Sequence, residues 1–130
     1  MLSAVGRGLG GTFNTVSEPG HATMSSLLEA AVRVTGSDAR LVWVDPDVVE
    51  AAGIEAWTEL PIWVPPGSEA AGLHGGDVTA ALAAGLTCRP VAETIADTWA
   101  WIQAEGYPPA RPGTGLDPEK EREVLGGTLA

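Results

Sequence analysis

Two blocks of helix-forming residues lie between Leu73 and Ile102, separated by a glycine and a proline, and their punctuation leaves few ways to fold. Asp77 is placed to cap a short helix and Gly85 to end it. Pro90 can open a second helix at its first position, where the missing N–H has no helical partner to lose. In that second block Val91, Ile95, Trp99 and Ile102 recur at helical spacing and make one apolar stripe, so Trp99 reads as a packing residue. The predicted order is a short helix, a tight exit, an extended segment and an amphipathic helix.

The chain before this stretch is punctuated in the same manner. Met1 to Val5 read as the end of a helix, which Gly6-Arg7-Gly8-Leu9-Gly10-Gly11 breaks. Thr12 to Val16 are β-branched and aromatic enough for a buried strand. Thr23 can cap a helix with Met24, Leu27, Leu28, Ala31 and Val32 on one face, and Gly36 stops it. Leu41-Val42-Trp43-Val44 reads as a second strand, and strand–helix–strand spacing suits a right-handed parallel crossover. Asp45-Pro46-Asp47, with Val48 to Ala52 and Gly53, forms a compact capped helix.

The expected fold class is therefore α/β: a small partial domain of short, at least partly parallel strands with flanking helices. Residues 1–11 are a helix end and glycine-rich turn, 12–106 the α/β domain, and 107–130 a Pro/Gly loop with a short charged helix. That last helix, opened by Asp117-Pro118-Glu119, reads as a solvated face.

Composition narrows the partners. A chain of 130 residues, 45% of them apolar, can bury one core. Its net charge of −10 repels nucleic acid and anionic membrane surfaces. Cys88 is the only cysteine, so no internal disulfide can form. No segment approaches the roughly eighteen consecutive apolar residues of a membrane span. A soluble, reduced, cytoplasmic protein is expected.

Few residues have the spacing that chemistry needs. Gly6 to Gly11 satisfy the glycine spacing of a dinucleotide fingerprint, but that motif works by delivering a strand into a helix N-terminus. Here no strand precedes it and a strand is expected after it. His21 and His74 lack carboxylates or cysteines at metal-ligand spacing, so no metal site is expected. Cys88 reads as a small buried hydrophobe, although Arg89 beside it could favour its thiolate. Ser25, Ser26, His21 and Glu29 are too local to form a nucleophile triad. The irregular middle carries Trp57, Leu60 and Trp63 beside prolines, with His74 shortly after. These four residues are the candidate substrate-binding set, and the two tryptophans fit either a pocket wall or a core cover.

The order of motifs resembles the C-terminal, substrate-binding part of extended short-chain dehydrogenases/reductases, the NAD-dependent epimerase/dehydratase family. Gly11-Thr12-Phe13-Asn14-Thr15-Val16 is similar to the strand entering that family's substrate lobe. Thr23-Met24 with Leu27-Leu28 is similar to the following helix, and Leu41 to Val44 to the next strand. The Asp77 helix, Pro90 and the Trp99 helix match its closing segment. The resemblance implies the substrate-binding lobe of an NAD(P)-dependent oxidoreductase. Its NAD or NADP would be held by a Rossmann half that this sequence lacks, in the same polypeptide or a separate subunit, and this chain alone would bind no cofactor.

The family's catalytic Tyr and Lys, four positions apart on a helix, are not matched. Tyr107-Pro108-Pro109-Ala110-Arg111 has two prolines that forbid the helix and an Arg in place of the Lys. No catalytic residue is therefore assigned. Nor does any Lys or Arg occur between Arg40 and Arg89, so a sugar-nucleotide diphosphate would be poorly received. A small carbonyl or alcohol is the expected substrate. The alternative is a non-catalytic small-ligand-binding or interaction module, and self-association is a second way to cover the face left by the absent half.

Overall fold

The computed structural model describes residues 2–69, 72, 75–109, 111, 113 and 115–128, and its regular structure is helical. Six helices follow in chain order: α1 (Leu2–Gly6), α2 (Met24–Thr35), α3 (Pro46–Ala51), α4 (Thr79–Ala83), α5 (Val91–Glu105) and α6 (Pro118–Thr128). Their ends follow local chemistry. Thr23 accepts from the Ser26 amide at 3.1 Å while Ser26 Oγ accepts from the Thr23 amide at 2.9 Å, a reciprocal capping box. Gly36 closes α2 in the left-handed region at φ 66, its N–H bonded to the Val32 carbonyl. Pro46 sits in the first turn of α3, Pro90 immediately precedes α5, and Asp117 Oδ1 accepts from the Glu119 amide at the start of α6.

Asp77 acts one residue earlier than a cap. Its Oδ1 accepts from the Thr79 amide at 2.9 Å, while Val78 takes the N-cap position of α4. Two hydrogen bonds with Thr79 hold the Asp77 carboxyl below the usual carboxylate range.

The α/β expectation is overturned. Among the described residues there is no sheet, and the only β-type pairing is an isolated bridge between Ala56 and Leu60 inside one loop. Neither Thr12–Val16 nor Leu41–Val44 forms a strand, so there is no parallel crossover between them. Strand-type composition favours an extended backbone, but a strand exists only with a partner in register. Thr12–Val16 is instead tethered by the Asn14 side-chain amide, which donates to the Asp77 carbonyl at 2.8 Å. Leu41–Val44 keeps a strand-like alternation, with Val42 and Val44 half-buried and Leu41 and Trp43 exposed, yet has no ladder partner.

Burial is thin. α2 packs against α5, and the α5 stripe of Val91, Ile95, Trp99 and Ile102 is its less exposed side, as the spacing predicts. The fully buried hydrophobic residues described are Ala30, Val49, Ile54, Val78 and Ala81, none larger than isoleucine. The accessible surface is 9704 Å². A compact monomer of 13.3 kDa would expose about 6,500 Å². The chain thus exposes more surface than a compact domain of this size would, and Val16, Trp43 and Trp101 are among its exposed large hydrophobic residues.

Candidate functional site

The loop after α3 is fixed by its own hydrogen bonds. The Glu55 amide donates to Glu59 Oε2 at 2.8 Å, Thr58 Oγ1 donates to Glu55 Oε2 at 3.1 Å, and the Trp57 and Trp63 amides both donate to the Leu60 carbonyl. Among the described residues Trp57 at φ 68 and Ile62 at φ 70 are the two non-glycine residues in the left-handed region. That conformation is an outlier for a β-branched side chain such as Ile62, and backbone strain of this kind concentrates at binding sites.

The loop is also clamped from outside. Lys120 on α6 donates to the Gly53 carbonyl at 2.7 Å and to Glu59 Oε2 and Oε1 at 2.8 and 2.9 Å. The pair is mostly shielded, with side chains 28% and 20% exposed. The Lys120 hydrogen bond, followed by that from the Glu55 amide, holds the Glu59 carboxyl below the ordinary glutamate range. Gly115 completes the attachment by donating to the Thr58 carbonyl at 2.7 Å. α6 is therefore docked on one side, although Glu119, Glu121, Arg122 and Glu123 face solvent.

Docking α6 here encloses a cleft of about 550 Å³. Val42 and Val44 form one side, Leu60 and Trp63 a second, and Val124 and Leu125 of α6 the third. Among the described residues Glu121 is the only ionisable side chain in its wall. An adjoining cavity of about 620 Å³ shares Trp43, Val44 and Val124 and is bordered by Asp45, Glu123 and Lys120. A wider depression of about 860 Å³ lies between residues 13–20 and the start of α2, and Met24 and Ile62 separate it from the apolar cleft.

Of the predicted set, Leu60 and Trp63 line the apolar cleft. Trp57 does not; it is half exposed beside them. His74 lies outside the described residues. Sequence reasoning missed Lys120 and Glu59, which shape the cleft, and Val124 and Leu125, which roof it. Leu116, Lys120 and Val124 recur at four-residue intervals and share reduced exposure, a helical signal that was available.

The remaining reactive groups are engaged elsewhere or exposed. Ser25 donates to the Glu29 carboxylate at 2.9 Å and Ser26 belongs to the α2 cap, so neither hydroxyl is paired with a histidine. His21 Nε2–H donates to the Arg89 carbonyl at 3.0 Å. Arg89 itself binds Thr94 and forms an ion pair with Asp97. Cys88 is exposed rather than buried, because the short segment between α4 and α5 runs along the surface. The Tyr107 ring meets Trp99 edge-on at 6.1 Å, beyond the end of α5. Among the described residues no group of three or more His, Cys, Asp or Glu side chains could hold a metal ion. None of the described helices is long and apolar enough to cross a membrane.

The Gly6–Gly11 run does not have the geometry of a dinucleotide fingerprint. Gly8 and Gly11 lie in an exposed run that follows the end of α1, and the residues after it are non-helical. Pyrophosphate binding needs the amides of a helix N-terminus, and this run leads away from a helix C-terminus. Comparison with protein-family models, with curated proteins and with solved structures finds no match for the chain.

Proposed function

We propose that this chain forms the substrate-binding side of an NAD(P)-dependent oxidoreductase acting on a small carbonyl or alcohol, and that it does not turn over alone. The observation that carries the reading is the apolar cleft walled by Leu60 and Trp63, which has the size of a small-molecule site and holds no acid–base pair among the described residues. Binding surface without chemistry fits a lobe whose cofactor and proton-transfer groups come from another segment. The exposed surface supports the same reading: it exceeds that of a compact monomer by about 3,000 Å². The reaction class rests on the sequence resemblance of the Asp77 helix, Pro90 and the Trp99 helix to the closing segment of extended short-chain dehydrogenases, because the two segments matched to that family's strands form no strands here.

The second reading is a ligand-binding module without catalysis, favoured by the same lack of a reactive pair in the cleft. The intact mass of the polypeptide in its native cell separates the two. The oxidoreductase reading expects a species heavier than 13.3 kDa, or a 13.3 kDa species that copurifies with a dinucleotide-binding subunit. A 13.3 kDa species with no such companion refutes it and leaves the ligand-binding module.

A further inference from the structure

We infer that the apolar cleft selects uncharged ligands and rejects carboxylates and phosphates, and that Glu59 supports this preference by pairing with Lys120, the cation that borders the cavity adjoining the cleft. This deepens the substrate-binding reading and rests on it.

Every wall that the cleft draws from Val42, Val44, Leu60, Trp63 and Leu125 is hydrocarbon or aromatic. The single ionisable wall residue, Glu121, is acidic and repels an anion. Among the described residues Lys120 is the only cation bordering the cavity that shares Trp43, Val44 and Val124 with this cleft, and none lines the cleft itself. An ammonium has three N–H bonds to give. Lys120 points one at the Gly53 carbonyl, 2.7 Å away, and one between the two oxygens of Glu59, 2.8 and 2.9 Å away. Its charge is thereby matched inside the protein by Glu59. A carboxylate entering the cleft would lose its hydration and meet no unpaired cation among the described wall residues, whereas a ketone or alcohol with a hydrophobic body loses far less. Glu59 is thus a positioning residue for selectivity. It touches no ligand itself, and its two oxygens keep Lys120 turned into the protein.

The test uses two probes of nearly equal size and shape, 4-phenylbutan-2-one and 3-phenylpropanoate, titrated at neutral pH and followed by amide and indole NMR shifts. The ketone is expected to shift Leu60, Trp63 and Leu125, with the acid weaker by about tenfold or more. Trp101→Ala, on α5 and outside the cleft wall, should leave both titrations unchanged. Glu59→Gln frees Lys120, so the acid should gain affinity while the ketone does not. If Glu59→Gln does not fold, Lys120→Met replaces it; the acid must then bind no more weakly than to the parent chain. Equal binding of the two probes, or acid binding that falls in Lys120→Met, overturns the charge preference and leaves the ligand-binding reading intact. Binding of neither probe overturns both.

Discussion

Isoleucine stands at positions 54 and 62 on either side of the Trp57 loop, and the same substitution should weigh very differently at the two. Ile54 is 7% exposed. Truncating a buried isoleucine costs roughly 2–5 kcal/mol, to which glycine adds about 0.5–1 kcal/mol of backbone entropy. Ile54→Gly should therefore lose about 3–5 kcal/mol. Ile62 is 49% exposed, so only about half of the 1.5–3 kcal/mol typical for a fully buried side chain is at stake. Its backbone sits at φ 70, a conformation that costs an L-residue roughly 1–2 kcal/mol and costs glycine almost nothing. Strain relief offsets the lost side chain and the added entropy, leaving Ile62→Gly within about 1 kcal/mol of the parent. Urea unfolding followed by far-UV circular dichroism and tryptophan fluorescence reads both values, provided the slopes agree. Similar losses at the two positions would refute the argument from left-handed strain.

Two further perturbations separate local effects. Thr23→Ala removes one arm of the α2 capping box and should cost about 1 kcal/mol, whereas Asp45→Ala, whose side chain makes no capping bond on α3, should cost only tenths; urea midpoints compare them. Glu59 and Asp77 both have carboxyls held below their ordinary values, so each contributes stability that is fully present above the unfolded value and is lost as pH falls through the lowered, folded one. The urea midpoint should hold steady from neutral pH down to the ordinary carboxylate range and drop beneath it. Glu59→Gln should flatten that drop; an unchanged acid profile in the variant would place the sensitivity elsewhere.

What the sequence made legible was the chemistry that acts within one turn of backbone. Thr23, Gly36, Pro46 and Asp117 mark helix ends because their partners lie two to four residues away, and each lies at or within a residue of its predicted boundary. The sheet was misread because pairing is a property of two distant segments. Thr12–Val16 and Leu41–Val44 have the composition of strands, but nothing in either says whether the other will lie in register beside it. The site divided along the same line. Leu60 and Trp63 stood out as bulky residues in a proline-rich loop and do line the cleft, while Trp57, equally conspicuous, lies outside its wall in a left-handed backbone that composition does not reveal. The Lys120–Glu59 contact spans 61 positions, and a lone lysine among glutamates reads as solvated until its helix is seen to dock.

Lys120 is also the only lysine of the chain, so it presents the only side-chain amine. An ammonium held by a carboxylate and a carbonyl must leave them and lose a proton before its lone pair can attack an acylating reagent. The rate at which a soluble acyl donor modifies Lys120 thus becomes a clock for the lifting of α6 from the Gly53–Glu59 loop. The reverse also holds. A single acyl group at that nitrogen cancels the charge and removes the ion pair, so one covalent event at one atom loosens the roof of the cleft.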